Sequence, residues 1–553
     1  MSFHFIFVSI IIYSFFQKIE TQDNNLTKKN NKLNDSYLNI KNTTNTTNIR
    51  KLQESRPIEI YVDTTILENI LWQDEDVEEM KRIKKAIEIS IEAIKKLIKT
   101  KTNIIKFDIL DYADKLGSSS YKTKLEEKYK GGSKFDADMI IFIGGKAPGV
   151  TMKQIAVLNK IQQDNDGRVR VGYIIYNYQY KKDNENFNAA HREYLLNIVF
   201  MHLFIHFLGF DKDILKNKNL LAEKTIYNRI KTGNFIKKYI VNDIRILEYA
   251  RNYYDCNIDY IEFSRETDIE DLPNSHWEAR FLLGDIMSSD FYYPEQVISD
   301  FTLKLLELLG WYEINYYTGG LMKYGKGLGC SFINSDCIDI NKNSISFPNE
   351  FCEHSFGTCS FGRQSRSYCG NEETIEDNDQ LYYMRNGYTG GYGLKMVDYC
   401  PVSKEVKTPK NNYYFFGSCN IGNGEYGSDL KFIGDDLSHY YNDFKDAFKE
   451  NIGENSFCAL SSIIQKNDNN VNKNLYQKLI RPTCYTMSCS EKSLTIQIGS
   501  EYIVCPRQGG LVKIGESYTN YIGYLFCPDY NLICAGTVLC NNLFDCIEKK
   551  ITI

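Results

Sequence analysis

Isoleucines recur at positions 83, 87, 91, 94 and 98, three or four residues apart among lysines and glutamates. That spacing stacks them on one stripe, so residues 76–100 read as an amphipathic helix with a solvated basic face. The runs IEIYVDTT (58–65), NIIKFDIL (103–110), DMIIFIGG (138–145) and VGYIIYNY (171–178) are short, apolar and punctuated by Gly and Asp. They read as strands. From Tyr194 onward almost every residue up to Leu208 is apolar, and a helix over 190–208 so patterned belongs in the middle of a domain. The front half therefore runs strand, helix, strands, buried helix. Gly131, Gly132, Gly144, Gly145 and Gly149 lack the G-x-G-x-x-G spacing and read as turn residues rather than a phosphate cradle.

The N-terminal run FHFIFVSIIIYSFF (3–16) is too short to span a bilayer comfortably and matches a signal-peptide core. Its flank carries no Lys or Arg, so an uncleaved anchor is the alternative, and membrane attachment would run only through that segment. Residues 1–20 are thus expected to be a signal peptide and the chain secreted or lumenal, with the cell surface as a variant. Residues 21–55, rich in Asn, Lys and Thr, bury too little to fold and read as a disordered leader or pro-segment. Sequons at Asn25, Asn34, Asn42 and Asn45 make that leader a candidate for glycosylation. At 553 residues the chain allows three or four domains, and 43% hydrophobic with 25% charged residues is ordinary globular protein. Its 66 basic against 71 acidic residues give no electrostatic case for a nucleic-acid partner.

All 16 cysteines lie at or after Cys256. An even number at irregular spacing suits disulfides in an oxidising compartment better than cytosolic metal clusters, and Cys256 is expected to be paired. CYTMSC (484–489) has no matching second pair and makes a weak metal knuckle. Residues 330–553 read as a cysteine-rich domain, a loop-heavy fold that bridges hold together without a large core.

Two of the seven histidines, His202 and His206, sit four apart in HLFIHFLGF (202–210). At 3.6 residues per turn both imidazoles share one helix face and can converge on one ion. Alone, such a pair is more often a set of satisfied core residues. The pattern H-x-x-x-H-x-x-G-F, with Gly209 ending the helix, resembles the zinc helix of metzincin proteases, except that their usual third His position holds Lys212. NSHWEARFLLGDIM (274–287) supplies His276, followed eleven residues later by Met287. A delayed third His, a following HWE and a later Met resemble the leishmanolysin family. FTLKLLELLGWYEINY (301–316), YGKGLGCSF (324–332), EFCEHSFGTC (350–359), VDYCPV (397–402), CYTMSC (484–489), EYIVCPRQGG (501–510) and LFCPDYNLICAG (525–536) extend the resemblance in order over residues 57–546.

The resemblance implies an α+β chain. A metzincin-type catalytic domain with a mixed sheet and active-site helix (56–211) would precede a central, mostly helical domain with the third His and Met-turn (212–329), then the cysteine-rich domain. It implies one zinc ion held by His202, His206 and His276, with Met287 packed beneath it, and a polypeptide as substrate or partner. The family's H-E-x-x-H motif also places a general-base Glu where this chain has Leu203. Losing a positioned base forfeits about 10² to 10⁴ in rate, roughly 3 to 5.5 kcal/mol. Glu193 is too far along the helix, Glu278 belongs to HWE, and Asp211 is expected to face solvent or cap the next element. The family's propeptide cysteine and front-domain disulfide have no counterpart before Cys256. Three readings stay open: a secreted zinc metalloendopeptidase of reduced activity, a pseudopeptidase binding polypeptide or an adhesion partner, and a disulfide-rich surface protein that has lost zinc.

Overall fold

The computed structural model describes residues 55–68, 77–117, 119–145, 156–177, 189–227, 235–264, 275–288, 296–316, 322–339, 344–352, 357–368, 397–398, 400–403, 419, 449–453, 455–466, 480–515, 520–534 and 543–549. All lie in the compact unit Ser55–Ile553. The apolar run at 3–16, the leader with Asn25, Asn34, Asn42 and Asn45, Gly149, Cys369 and Cys540 fall outside the described residues.

A four-stranded sheet organises the front half. Strands β1 (Ile60–Asp63), β2 (Met139–Gly145), β3 (Ala156–Gln163) and β4 (Val169–Tyr176) lie in the order β1-β2-β4-β3. β1, β2 and β4 are parallel, whereas β3 runs antiparallel at the edge, with bulges near Gln162. Every residue of β2 is buried because both faces of the sheet are covered, which is why this strand reads as an unbroken apolar run. Met139, Ile141 and Ile143 point into the main core, and Ile140 and Phe142 into a smaller cluster with Phe107, Ile109 and Leu125.

Helices α1 (Val77–Leu97) and α2 (Ala189–Phe207) cover the main-core face and pack against each other. α1 buries Ile83, Ile87 and Ile94 of the expected stripe together with Leu97, while Ile91 is partly buried and Ile98 already begins a strand. α2 is apolar because it is enclosed. The stretch Glu193–Asn217 has the length and hydropathy of a bilayer span, but 78% of its most apolar window is inside the protein. Gly172 on β4 admits Phe207 at the end of α2, since a Cβ there would sit 2.6 Å from the ring.

The segment after α2 mixes helix and strand rather than being mostly helical. α3 (Lys212–Asn217) precedes an antiparallel hairpin of β5 (Ala222–Tyr227) and β6 (Phe235–Val241). α4 (Ile244–Tyr254) follows, then β7 (Ile261–Glu262), which pairs with β6. The short α5 (Ala279–Leu282), α6 (Asp300–Leu308) and α7 (Gly329–Asn334) complete it. Cys256 is paired with Cys330, as expected.

The cysteine-rich part departs from the expected loop-heavy fold, because it has its own sheet and core. β8 (Ser456–Ser461), β9 (Ile464–Gln465), β10 (Arg481–Cys489), β11 (Leu494–Ile498), β12 (Glu501–Cys505), β13 (Gly510–Ile514) and β14 (Tyr521–Cys527) form seven antiparallel strands. Leu494, Ile496 and Ile498 alternate inward against Phe457, Tyr485, Ile503 and Leu525. That two-residue period is the signature of a one-sided sheet. Six disulfides join described residues, consistent with an extracellular or surface setting, and no cysteine among the described residues is free. α8 (Leu543–Lys549) returns to α1, placing Leu543 and Ile547 in the main core.

Candidate metal centre

The end of α2 is set by a glycine. Gly209 has φ +117°, and a Cβ on it would lie 2.5 Å from Leu309 and 2.8 Å from Trp311. The chain closes on itself there, with Phe210 N–H donating to the Ile205 carbonyl (3.2 Å) and Gly209 N–H to that of His206 (3.1 Å), the paired bonds of a Schellman cap. This turn brings the Phe210 carbonyl back to His206, whose Nδ1 donates to it at 2.8 Å. His202 Nδ1 likewise donates to the Ile286 carbonyl at 2.6 Å.

His276 arrives on a segment zipped to the end of β7 and the two residues that follow it. Ser264 N–H donates to the His276 carbonyl (2.9 Å), Glu278 N–H to that of Glu262 (3.0 Å), and Phe263 bridges Trp277. Trp277 packs against Phe210 and Phe263 and donates through Nε1 to Thr302 (2.8 Å). Met287 is fully buried one residue beyond the carbonyl that holds His202. Its N–H donates to Asp285 (2.6 Å), and its own carbonyl accepts from Trp277 N–H (2.9 Å). Asp285 also accepts from Thr302 and from the N–H and hydroxyl of Ser299, fixing the turn that presents Ile286. Burial raises the Asp285 carboxyl to about 6 against these donors.

The three imidazoles that the sequence reading singled out converge. His202 Nε2 lies 2.9 Å from His206 Nε2 and 3.2 Å from His276 Nε2, and one ligand atom from each ring falls within 4.8 Å of the others. A carbonyl can only accept, so the Nδ1 atoms of His202 and His206 carry the protons and their Nε2 lone pairs face one another. Burial pushes all three rings down, His202 and His276 well below the usual range and His206 to about 4. Neutral lone pairs this close repel unless a cation lies between them. Two ligands bonded to one ion at about 2.0–2.1 Å in tetrahedral geometry would stand about 3.3 Å apart, close to the separations seen. The donor set therefore fits a metal ion. Backbone carbonyls as the orienting groups had no sequence signal; Asp285, two residues before Met287, had only its spacing.

Leu203 follows His202 on α2, 1% exposed and part of the main core. None of the three carboxylates weighed as substitutes is free for base chemistry. Glu193 pairs with Lys85 (2.9 Å). Asp211 caps α3 by accepting from Asp213 and Ile214 N–H and pairs with Lys160 (2.7 Å), in the capping role expected of it. Glu278 pairs with Lys238 (2.5 Å) within a buried group that includes Glu262 and Asp398. Burial and the neighbouring acids raise Glu278. For Lys238 burial acts downward, but the surrounding carboxylates outweigh it and raise the ammonium.

The family model for leishmanolysin matches residues 79–540. The chain is 24% identical to the leishmanolysin-like peptidase of Drosophila melanogaster over 313 residues, 53% of this chain and 43% of that protein. It is 25% identical to leishmanolysin of Leishmania donovani over 362 residues, 63% and 54% of the respective lengths. A ciliated left-right organizer metallopeptidase of Danio rerio is 22% identical over 408 residues, 72% and 55%. The chain thus spans about half the length of the curated relatives it matches.

Proposed function

The chain belongs to the leishmanolysin family, and on that premise we propose that it is an exported, zinc-holding member that engages polypeptide and hydrolyses it slowly or not at all. The reading takes residues 56–211 as a metzincin-type domain, 212–329 as its partner in building the site, and 330–553 as the disulfide-rich region. It takes the N-terminal apolar run as a cleaved signal. The observation that carries it is the pairing of an intact three-imidazole cluster with Leu203 one residue after its first member.

Zinc held by His202, His206 and His276 would supply Lewis acidity, able to polarise a peptide carbonyl and acidify water. The chain's own groups do the rest. Nδ1 contacts from Ile286 and Phe210 hold two rings in the ligand tautomer. β3 offers an antiparallel edge on which an extended peptide can add as a strand. Leu203 has no oxygen to accept a proton, so the step that needs a positioned base is unassisted. Met287, behind the Ile286 carbonyl, is read as packing that keeps the His202 turn rigid.

The test is a capture-and-cleavage experiment on the full chain with a denatured generic protein. The expected result is about one zinc per chain and retention of the polypeptide, with chelator-sensitive fragments scarce or absent even at high loading. Brisk, chelator-sensitive turnover by the wild type contradicts the proposal. Absence of zinc from the secreted protein, matching a His276→Ala control, would favour the metal-free surface protein instead.

A further inference from the structure

The hairpin of β5 and β6 carries an aromatic pair that the fold leaves in water. Tyr227 and Phe235 face each other across the register, with ring centroids 6.2 Å apart and planes at 82°. Phe235 is 69% exposed, the most of any large apolar side chain among the described residues, and Tyr227 is 43% exposed. Ile226 and Ile240 point to the other face and are buried, so the pair stands on the solvent face of the hairpin.

Behind the pair, that face is basic. Lys237 is exposed two residues from Phe235, and Tyr239 follows at the next step of the strand period. The Lys216 and Lys212 ammoniums of α3 lie 4.0 and 4.3 Å from the centre of the Tyr239 ring, and Lys216 donates to its hydroxyl (2.7 Å). Lys224 covers Tyr260 (3.9 Å) at the margin of the hairpin. The acids beside these lysines are Asp213 and Glu223, the latter accepting from Tyr239 (2.8 Å). Four ammoniums against two carboxylates leave an excess of positive charge on a chain whose net charge is −5. Helix α1 makes the contrast. Each of its basic residues, from Lys81 with Glu78 to Lys96 with Glu548, is in an ion pair. Lys216, Lys224 and Lys237 are in none among the described residues.

A strand advances about 3.4 Å per residue, so Lys237 trails Phe235 by about 7 Å, and Tyr239 with Lys216 by about 13 Å. An aromatic tip with lysines one step behind matches a bilayer interface. Rings lie there about 5–10 Å deep at the acyl boundary, and ammoniums meet lipid phosphates. A sulfated glycan would use the lysines but give the exposed Phe235 nothing apolar to enter.

We propose that this hairpin docks the protein on an anionic phospholipid bilayer, with Phe235 and Tyr227 inserted and Lys216, Lys224 and Lys237 at the phosphates. The contact rests neither on the N-terminal apolar run nor on zinc. α3 begins three residues after Gly209, and Lys212 N–H donates to Ser275 Oγ (2.6 Å) beside His276, so docking holds the metal centre at a fixed height above the lipid.

The test is sedimentation of the full chain with vesicles of phosphatidylcholine alone or mixed with phosphatidylserine. Binding to the mixed vesicles is expected to be at least about tenfold tighter. Phe235→Ser is expected to weaken it roughly tenfold, and Lys224→Gln with Lys237→Gln about 25-fold, or about fivefold per ammonium, with unchanged circular dichroism. Phe235→Trp is expected to keep binding and to shift its emission to the blue only with the mixed vesicles. Equal affinity for both vesicles, full affinity in the serine or the double-glutamine variant, or no blue shift overturns the proposal. Retention on heparin without vesicle binding also overturns it and assigns the lysines to a sulfated glycan. Self-association that Phe235→Ser abolishes, again without vesicle binding, overturns it in favour of a second copy of the chain.

Discussion

At Gly209 a left-handed backbone and the side chains of Leu309 and Trp311 both exclude a Cβ. Gly209→Ala is therefore expected to cost roughly 3 kcal/mol or more, measured by chemical denaturation, from strain plus overpacking. Because the same turn aims the Phe210 carbonyl at His206, zinc content should fall with it. The neutral ring is the ligand form, and lowered values extend that form to lower pH. Metal is thus expected to stay bound from about pH 8 through 6 and to leave near pH 4, where His206 protonates, as followed by metal analysis after dialysis. A midpoint near the ordinary histidine value of 6.5 would show that the rings are not held as described. His202 and His206 were legible in the sequence because helical spacing alone makes them neighbours. His276, 70 residues past His206, was legible only through its resemblance to a known motif.

The turn Gly284–Met287 works as a small element with one carboxylate at its centre. Asp285 accepts from Met287, Ser299 and Thr302, and Thr302 in turn receives the Trp277 indole beside His276. Asp285→Ala strands several buried donors and is expected to lower stability by about 3–5 kcal/mol and weaken zinc retention, read by denaturation with metal analysis. Unchanged retention would detach this turn from the metal centre. The strongly periodic elements were readable: α2 lies within one residue of the helix expected at 190–208, and α1 starts one residue after the helix expected at 76–100 but stops at Leu97, because residues 98–100 turn into a strand. The edge strand β3, AVLNKIQQ, was not, since half its residues face solvent and its strand character comes from pairing with β4. The sheet of the cysteine-rich region leaves its trace in the alternation of Leu494, Ile496 and Ile498, a run of only five residues set among irregularly spaced cysteines.

One apolar core takes in residues from Ile58 to Ile547, so both ends of the described chain contribute to it. α8 packs on α1, and Lys96 pairs with Glu548. Two long bridges meet in a small cluster of their own, with Cys458 on β8 and Cys484 on β10: Cys359–Cys458 spans 99 residues and Cys419–Cys484 spans 65. Replacing Cys359 and Cys458 together by Ala is expected to destabilise the C-terminal sheet by about 4–5 kcal/mol, the loop-entropy estimate for such a span, while zinc stays near one per chain. Zinc loss on that substitution would mean that the two cores are not energetically separable. Pairing of these thiols could not be read from sequence, because spacing along a chain does not fix which Cα atoms the strands bring together.

Proteolysis by wild type and Leu203→Glu, with zinc quantified in both samples, addresses the account at its centre. The expected result is equal metal and about 10² to 10⁴ more chelator-sensitive cleavage in the variant. Equal cleavage rates at equal metal would contradict it.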